Sequence, residues 1–261
     1  MKRYLFAALI LFTTATFALA SGGCQPSEMP GSQPKAAIID QLHLLESNPA
    51  FVEKTRATLE SYGFAVDLWQ GEEVTVEFYR ELPKFGYKLI VFRVHSGILL
   101  SLVHAHIEPS ETTYLFTGEL YSTTRYVSEQ LTDCVSNAMM TTEYPLVFAV
   151  NSEFIRKDME DSFDNTVILM MGCESFYLDD MAEAFIKKGA SAYLGWSGVV
   201  SLKYVDEATL SLLSNLCSAN MTVEQGIDQT MTELGYDPYF HAYLKYYPVG
   251  SGSYTISELI K

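Results

Sequence analysis

The sequence has little positive charge for its length. Its 261 residues include 17 Lys and Arg against 32 Asp and Glu, which gives a net charge of −15. The phosphates of nucleic acids and the surfaces of anionic lipids repel so negative a chain, which excludes both as electrostatic partners. Any attachment to a membrane must therefore depend on a segment that binds it by some means other than positive charge.

The start of the chain supplies such a segment. "MKR" is followed by an apolar block and then by small residues, a pattern typical of a secretory signal peptide rather than a membrane span. We predict this signal over residues 1–23. The stretch "LASGGC" resembles a prokaryotic lipobox, which implies that Cys24 carries lipid and anchors an exported protein to the membrane. Ordinary cleavage after Ala20 is the alternative, and it leaves Cys24 as a thiol.

Cysteine is scarce, which limits the disulfides that the exported chain can form. Once Cys24 is lipidated, only Cys134, Cys173 and Cys217 remain. Three is an odd number, so at least one thiol is free or bridges two chains. A Cys134–Cys217 disulfide with a free Cys173 fits this count, although the sequence leaves the pairing open.

The remaining residues have no internal repeat and suggest a single large domain. A tether rich in Pro, Ser and Gly is predicted over residues 24–36, and the domain over residues 37–261. Apolar runs begin at "KAAIIDQLHLL", "FAVDLWQ" and "YKLIVFRV", and segments with helical spacing separate them. This β-α-β-α-β order predicts an α/β fold whose parallel sheet is covered on both faces.

The middle of the chain has a different pattern. "ILLSLVHAHI" and "TTYLFTGELY" flank "EPSE" and predict an antiparallel hairpin inserted into the α/β order. Residues 125–141 have helical character, and "YPLVFAV" predicts a further strand. "NTVILMMG" predicts another central strand, followed by a helix, the strand "SAYLGW", a largely helical region over residues 203–234 and a final strand in "YFHAYLKYYP".

Two reactive side chains follow the predicted central strands. His95 comes after "YKLIVFRV", and Cys173 comes after "NTVILMMG". Ligands of open α/β sheets bind beyond the carboxyl ends of the strands, and neighbouring strands lie only about 4.8 Å apart. An imidazole beside a cysteine can stabilise the thiolate and later protonate a leaving amine. The simpler alternative is a packed thiol and an incidental histidine.

The blocks "KLIVFRVHSG" and "TVILMMGCES" resemble the two signature blocks of the caspase-like (clan CD) cysteine peptidases. "AEAFIKKGASAYLGWSG" is similar to the pattern of CHAT-type and clostripain-like domains, and the element order matches over nearly the whole mature chain. The resemblance implies a caspase-like three-layer α/β/α sandwich with a mostly parallel central sheet and an inserted β-hairpin. It also implies an endopeptidase that acts on peptide or protein substrates through an acyl-enzyme and needs no cofactor.

The resemblance also implies roles for particular residues. His95 is the general acid and base, and Cys173 is the nucleophile. The backbone N–H groups of Cys173 and of Gly97 or its neighbour form the oxyanion hole. The segment Trp196, Ser197 and Gly198 pairs with an extended substrate.

This chain departs from the family pattern at two places. Ser96 stands between His95 and Gly97, where the family has glycine directly after the histidine. No acidic residue precedes Cys173, so the resemblance assigns no side-chain selectivity. Two alternatives therefore stay open: a caspase-like domain that binds a peptide without cleaving it, and a solute-binding lipoprotein. His104 and His106 share one strand face, but with no third ligand evident we predict no metal site.

Overall fold

The computed structural model describes residues 33–103 and 106–261, without the side chains of residues 99–111. The predicted signal peptide and Cys24 lie outside the described residues, as do His104 and the side chain of His106. Within the described part of the chain, no helix has the length and hydropathy needed to cross a membrane. Residues 33–261 form one compact unit.

The strands form two sheets. They are β1 Lys35–Asp40, β2 Ala65–Gln70, β3 Tyr87–Arg93, β4 Ser96–Val103, β5 His106–Leu120, β6 Val135–Ala138, β7 Val147–Asn151, β8 Thr166–Met170, β9 Ala190–Trp196 and β10 Leu244–Tyr247. The larger sheet has the order β10-β9-β8-β3-β1-β2 and is parallel except for β10. The smaller sheet, β4-β5-β7-β6, is antiparallel. The hairpin predicted from the sequence is therefore part of a second sheet.

The helices cover both faces of the larger sheet. They are α1 Pro49–Tyr62, α2 Val76–Glu81, α3 Val127–Leu131, α4 Ser152–Lys157, α5 Asp180–Lys187, α6 Leu202–Leu213, α7 Val223–Leu234 and α8 Ile256–Leu259. Successive residues of β1 enter different clusters: Ala37 and Ile39 join the core beneath α2, α4 and α5, while Ala36 and Ile38 join the core beneath α1, α6 and α7. Because side chains of a strand alternate between faces, this pattern requires helices on both sides. The predicted three-layer α/β/α fold is confirmed.

Local signals explain where several elements begin and end. The side chain of Asn48 accepts the Phe51 N–H at the start of α1, and Gly63 ends that helix with φ +114°. Asn151 caps α4 in the same way, by accepting the N–H groups of Glu153 and Phe154. Asparagine at the start of a helix and glycine at its end are residue types that favour these boundaries.

Two predictions about the middle of the chain were wrong. β5 runs from His106 to Leu120, and Val103 pairs with His106, so "EPSE" lies within the strand and does not form the connection between the two strands. Residues 125–141 contain only the short helix α3. Asp133 then adopts φ +56°, a left-handed conformation that ends a helix, and β6 pairs with β7. Pairing between strands outweighs local helical character here.

Two smaller corrections concern the domain start and the cysteines. Lys35 and Ala36, assigned to the tether from the sequence, are the first residues of β1 and pair with β2. Cys134 and Cys217 are free thiols, not a disulfide. They lie in the two different core clusters, so the central sheet separates them.

Candidate active site

The backbone of His95 is fixed where the two sheets meet. His95 follows β3 by two residues, and its N–H donates to Oε1 of Gln41 at 3.0 Å. Its carbonyl accepts the N–H of Phe116, from β5, at 2.9 Å. The imidazole lies beside the Phe116 ring, with 5.8 Å between the ring centroids. Contacts from both sheets therefore hold the imidazole at the carboxyl end of β3.

Cys173 lies at the carboxyl end of the neighbouring strand. β8 pairs in parallel with β3, and Cys173 follows its last residue, Met170, by three positions. Its Sγ donates to the carbonyl of Val200 at 3.4 Å. Cys173 and His95 line the same cavity of about 110 Å³. The structure thus brings together the two reactive residues singled out in the sequence.

Burial keeps both groups neutral. It lowers the pKa of the His95 imidazole, and the nearby charge of Arg93 lowers it further. Burial also raises the pKa of the Cys173 thiol, and the carboxylates of Glu174 and Asp237 act in the same direction. His95 Nε2 is buried and has no hydrogen-bond partner among the described residues. The site therefore holds a protonated thiol and an imidazole with one nitrogen free.

Ser96, which interrupts the family pattern, links the two strand ends. Its hydroxyl donates to the carbonyl of Cys173 at 2.6 Å. Gly172 permits this approach, because a Cβ at that position would lie 2.0 Å from Ser96 Oγ and 2.8 Å from the Val94 carbonyl oxygen. The serine fixes the backbone of the candidate nucleophile. The two residues are 77 positions apart in the sequence, so the sequence does not reveal this contact.

The Glu174 carboxylate binds one of the backbone N–H groups that are expected to form the oxyanion hole. Its Oε2 accepts the N–H of Ile98, the neighbour of Gly97, at 3.1 Å, and its own N–H donates to the Gly198 carbonyl at 2.9 Å. Glu174 has φ +51°, an uncommon conformation for a side chain of this size. No hydrogen bond to another described residue uses the N–H of Cys173. The Cys173 N–H therefore has no described partner, whereas the Ile98 N–H is occupied by Glu174.

The segment expected to pair with substrate is bonded within the protein. Trp196 is fully buried at the end of β9, and its N–H donates to Ser175 Oγ at 3.0 Å. The Ser197 N–H donates to the Tyr243 carbonyl at 3.0 Å, and the Tyr243 N–H donates to Ser197 Oγ, also at 3.0 Å. The carbonyl of Gly198 is likewise engaged. Pairing of a substrate through the Trp196 N–H, the Ser197 N–H or the Gly198 carbonyl requires these bonds to open.

A buried charge network near His95 was missed in the sequence. Arg93, only 1% exposed, donates from Nε and NH2 to the two carboxylate oxygens of Asp206 at 2.8 and 3.0 Å. It also donates from NH1 to Asp40 at 2.8 Å. Burial alone lowers the pKa of the Arg93 guanidinium, but the two carboxylates raise it above its usual range. The network joins β1, β3 and α6. Its one signal in the sequence is an arginine inside an otherwise apolar strand.

No group of three or more His, Cys, Asp and Glu side chains within the described ranges could hold a metal ion. The described lining of the cavity supplies the Cys173 thiol, the His95 imidazole and the Glu46 carboxylate. A thiol and an imidazole on one cavity can support nucleophilic acyl transfer.

Comparisons with known proteins leave the family open. No family model matches the sequence, and no curated protein matches it. Among solved structures, the chain is similar to the crystal structure of the Arg-specific cysteine proteinase gingipain R, with 14% identity and a TM-score of 0.46. The match covers 78% of this chain and 43% of the gingipain chain, so this protein spans less than half of that length. A similarity at this level carries no argument about activity or residue roles.

The Glu174 carboxylate gives a testable effect on the thiol. Glu174→Ala and Glu174→Gln both remove a negative charge that raises the pKa of Cys173. We expect alkylation of Cys173 by iodoacetamide at neutral pH to be faster in both variants, because a lower thiol pKa increases the fraction of reactive thiolate. Peptide mapping of the alkylated thiol measures the rate. Equal rates in both variants and the wild type would rule out this electrostatic effect.

Proposed function

We propose that the protein is an extracytoplasmic cysteine endopeptidase of caspase-like type, with His95 and Cys173 as its catalytic dyad. One observation carries the proposal: these two residues follow adjacent parallel strands and line one cavity. Carboxyl ends of parallel strands are the usual position of active sites in open α/β sheets. The closer likeness to CHAT-type and clostripain-like domains rests on the order of the sequence motifs alone.

The proposed reaction starts from a neutral pair. His95 takes the thiol proton through Nε2 as Cys173 Sγ attacks the carbonyl carbon of the scissile peptide bond. The Cys173 N–H stabilises the negative oxygen that forms. His95 then gives the proton to the leaving amine, which breaks the C–N bond and leaves a thioester. A water molecule, deprotonated by His95, hydrolyses this thioester and releases the thiol.

The oxyanion hole and the substrate strand need local rearrangement in this proposal. The Ile98 N–H becomes a second oxyanion donor once the Glu174 carboxylate moves away. Pairing of substrate with Trp196, Ser197 and Gly198 stays a prediction.

Digestion of a diverse peptide library by the full-length exported protein tests the activity. Analysis of the products by mass spectrometry identifies any cleavage sites. We expect cleavage that iodoacetamide abolishes and that metal chelators leave unchanged. A library recovered intact would contradict the peptidase proposal.

A second candidate is a caspase-like domain that binds a peptide without cleaving it. The observation that favours it is that groups of the site are already hydrogen-bonded within the protein. The Glu174 carboxylate accepts the Ile98 N–H, and the Cys173 thiol donates to the Val200 carbonyl. A library that binds to the protein and remains uncleaved would select this candidate. Binding of small solutes in place of peptides would select the solute-binding lipoprotein.

We also propose that Cys24 carries the lipid that anchors the protein outside the cytoplasm, on the strength of "LASGGC". Cys24→Ser is expected to release the protein from the membrane or to block its processing, because the acyl chains have no other attachment point. Partition into detergent and mass analysis of the mature N-terminus measure this result. A mature chain that begins at Ser21 would contradict the anchor.

A further inference from the structure

The two faces of the smaller sheet have different environments. Side chains on one face, such as Leu115 and Val150, belong to the main core beneath α2, α4 and α5. The opposite face carries a small separate cluster that includes Tyr114, Ala138 and Ala149. This second face lines a cavity of about 420 Å³. The cavity therefore borders an apolar face of the sheet.

This cavity begins next to the candidate active site. Gly97 and Ile98 form one end of it, two and three residues after His95. Phe116 also lines the cavity, and its ring lies beside the imidazole of His95. The cavity therefore lies beside the candidate active site, with Phe116 between it and the imidazole.

The described lining of the cavity is uncharged. It consists of apolar and aromatic side chains with one hydroxyl, one amide and one phenol, from Ser136, Asn137 and Tyr114. In a chain with a net charge of −15, a cavity whose described lining carries no charge favours an apolar ligand. Its volume lies in the range of about 300–1,000 Å³ that is typical of ligand pockets. It has room for a bulky side chain together with the peptide backbone that carries it.

The edge of the sheet offers main-chain groups to such a peptide. β6 is the last strand of the smaller sheet and pairs only with β7 among the described strands. The four consecutive residues 136–139 line the cavity. Ser136, Asn137 and Ala138 belong to β6. Because neighbouring side chains of a strand point to opposite faces, contact with three in a row places the cavity along the strand edge. An open edge can bind an extended peptide through main-chain hydrogen bonds.

We propose that this cavity is a specificity site, in which a bulky apolar side chain of the peptide substrate binds while its backbone extends along β6. The position of this side chain next to the scissile bond rests on the proposed peptidase function. The binding itself requires no catalysis. It is separate from the cavity that His95 and Cys173 share, because the two have no described lining residue in common.

Binding of single-residue probes to the full-length protein tests the site. N-acetyl-phenylalanine amide and N-acetyl-lysine amide are compared by ligand-observed NMR. Ser136→Phe places a phenyl ring in the cavity, because Ser136 is one of the residues that line it. Ser136→Ala is the matched control, which adds no bulk. We expect the phenylalanine probe to bind the wild type and Ser136→Ala equally. We expect Ser136→Phe to weaken that binding by at least about tenfold, a change of 1.4 kcal/mol, and the lysine probe not to bind.

A second variant keeps the test valid if Ser136→Phe does not fold. Met139 is 60% exposed at the cavity, so Met139→Glu adds a charge at low risk to the fold and is expected to weaken binding of the phenylalanine probe. Equal binding of both probes, or binding unchanged in both variants, would overturn the proposal. A dimer that Ser136→Phe dissociates would assign the face to a second copy and would also overturn it.

The peptide library separates this inference from the proposed activity. If the wild type cleaves peptides next to bulky apolar residues and Ser136→Phe loses that preference, both proposals are supported. Cleavage with no such preference would overturn the specificity site alone. Selective binding of the phenylalanine probe by a protein that cleaves nothing would contradict the peptidase function and retain the site as a peptide-binding site.

Discussion

Arg93→Met is expected to destabilise the fold by about 3–5 kcal/mol, the usual cost of removing one partner from a buried ion pair. Arg93 is the cation that Asp40 and Asp206 share, and all three side chains are buried. Its loss leaves two carboxylates near each other without a counter-charge. Urea unfolding of the wild type and the variant measures the difference in free energy of unfolding.

Two controls separate charge burial from the loss of a long side chain. Lys35→Met breaks the half-exposed Lys35–Asp67 ion pair of 3.0 Å and is expected to cost less than about 1 kcal/mol. Adding Asp40→Asn and Asp206→Asn to Arg93→Met removes the unpaired charges and is expected to recover part of the lost stability. Similar losses for Arg93→Met and Lys35→Met would contradict a strongly coupled buried network.

The same variant changes the protonation of the candidate site. Because the Arg93 charge lowers the pKa of His95, its removal is expected to move that pKa upward, towards the ordinary value. In the wild type the folded chain binds fewer protons at His95 than the unfolded chain, so this group favours unfolding as the pH falls through its ordinary range. Arg93→Met is expected to weaken that acid destabilisation. An NMR titration of the His95 ring measures the shift directly.

Cys173→Ala is expected to abolish peptide hydrolysis, because no other described thiol or hydroxyl lines the cavity with His95. His95→Ala is expected to reduce kcat by about 10²–10⁴-fold, the usual contribution of general acid–base catalysis. Each change removes a half-buried side chain at a strand end and is expected to cost about 1 kcal/mol in stability. Hydrolysis rates on a peptide cleaved by the wild type measure these effects.

Matched substitutions elsewhere in the chain control for non-specific damage. Cys134→Ala removes a buried thiol from the core, and His43→Ala removes a half-exposed imidazole outside the shared cavity. Both variants are expected to retain hydrolysis. If His43→Ala lowers the rate as much as His95→Ala, the loss in His95→Ala is non-specific and gives no support to the dyad.

The sequence predicted the larger sheet well because its signals are local. "AAII" in β1 and "VILM" in β8 are apolar runs whose residues are buried on both faces, which is the pattern of a central parallel strand. The order of these runs along the chain indicated parallel pairing with helical crossovers. The same order placed His95 and Cys173 at one end of the sheet.

The details of the site depend on contacts between distant parts of the chain, and the sequence does not show them. In the sequence, Ser96 only interrupts the family motif. In the structure, its hydroxyl donates a hydrogen bond to the Cys173 carbonyl. The Glu174 carboxylate binds the N–H of Ile98, a contact between residues 76 positions apart. The Arg93 network joins three elements separated by more than fifty residues. Each of these contacts forms only after the sheets have assembled.

Labelling of the full-length protein with a peptide that carries a thiol-reactive group tests the dyad most directly. The reagent needs thiolate character at Cys173, and the fold protects Cys134 and Cys217 by burial. If His95 activates the thiol, the wild type is labelled at Cys173, and His95→Ala is labelled at least about 10²-fold more slowly. Equal labelling of Cys173 in the wild type and His95→Ala would show that the two residues share a cavity without acting together.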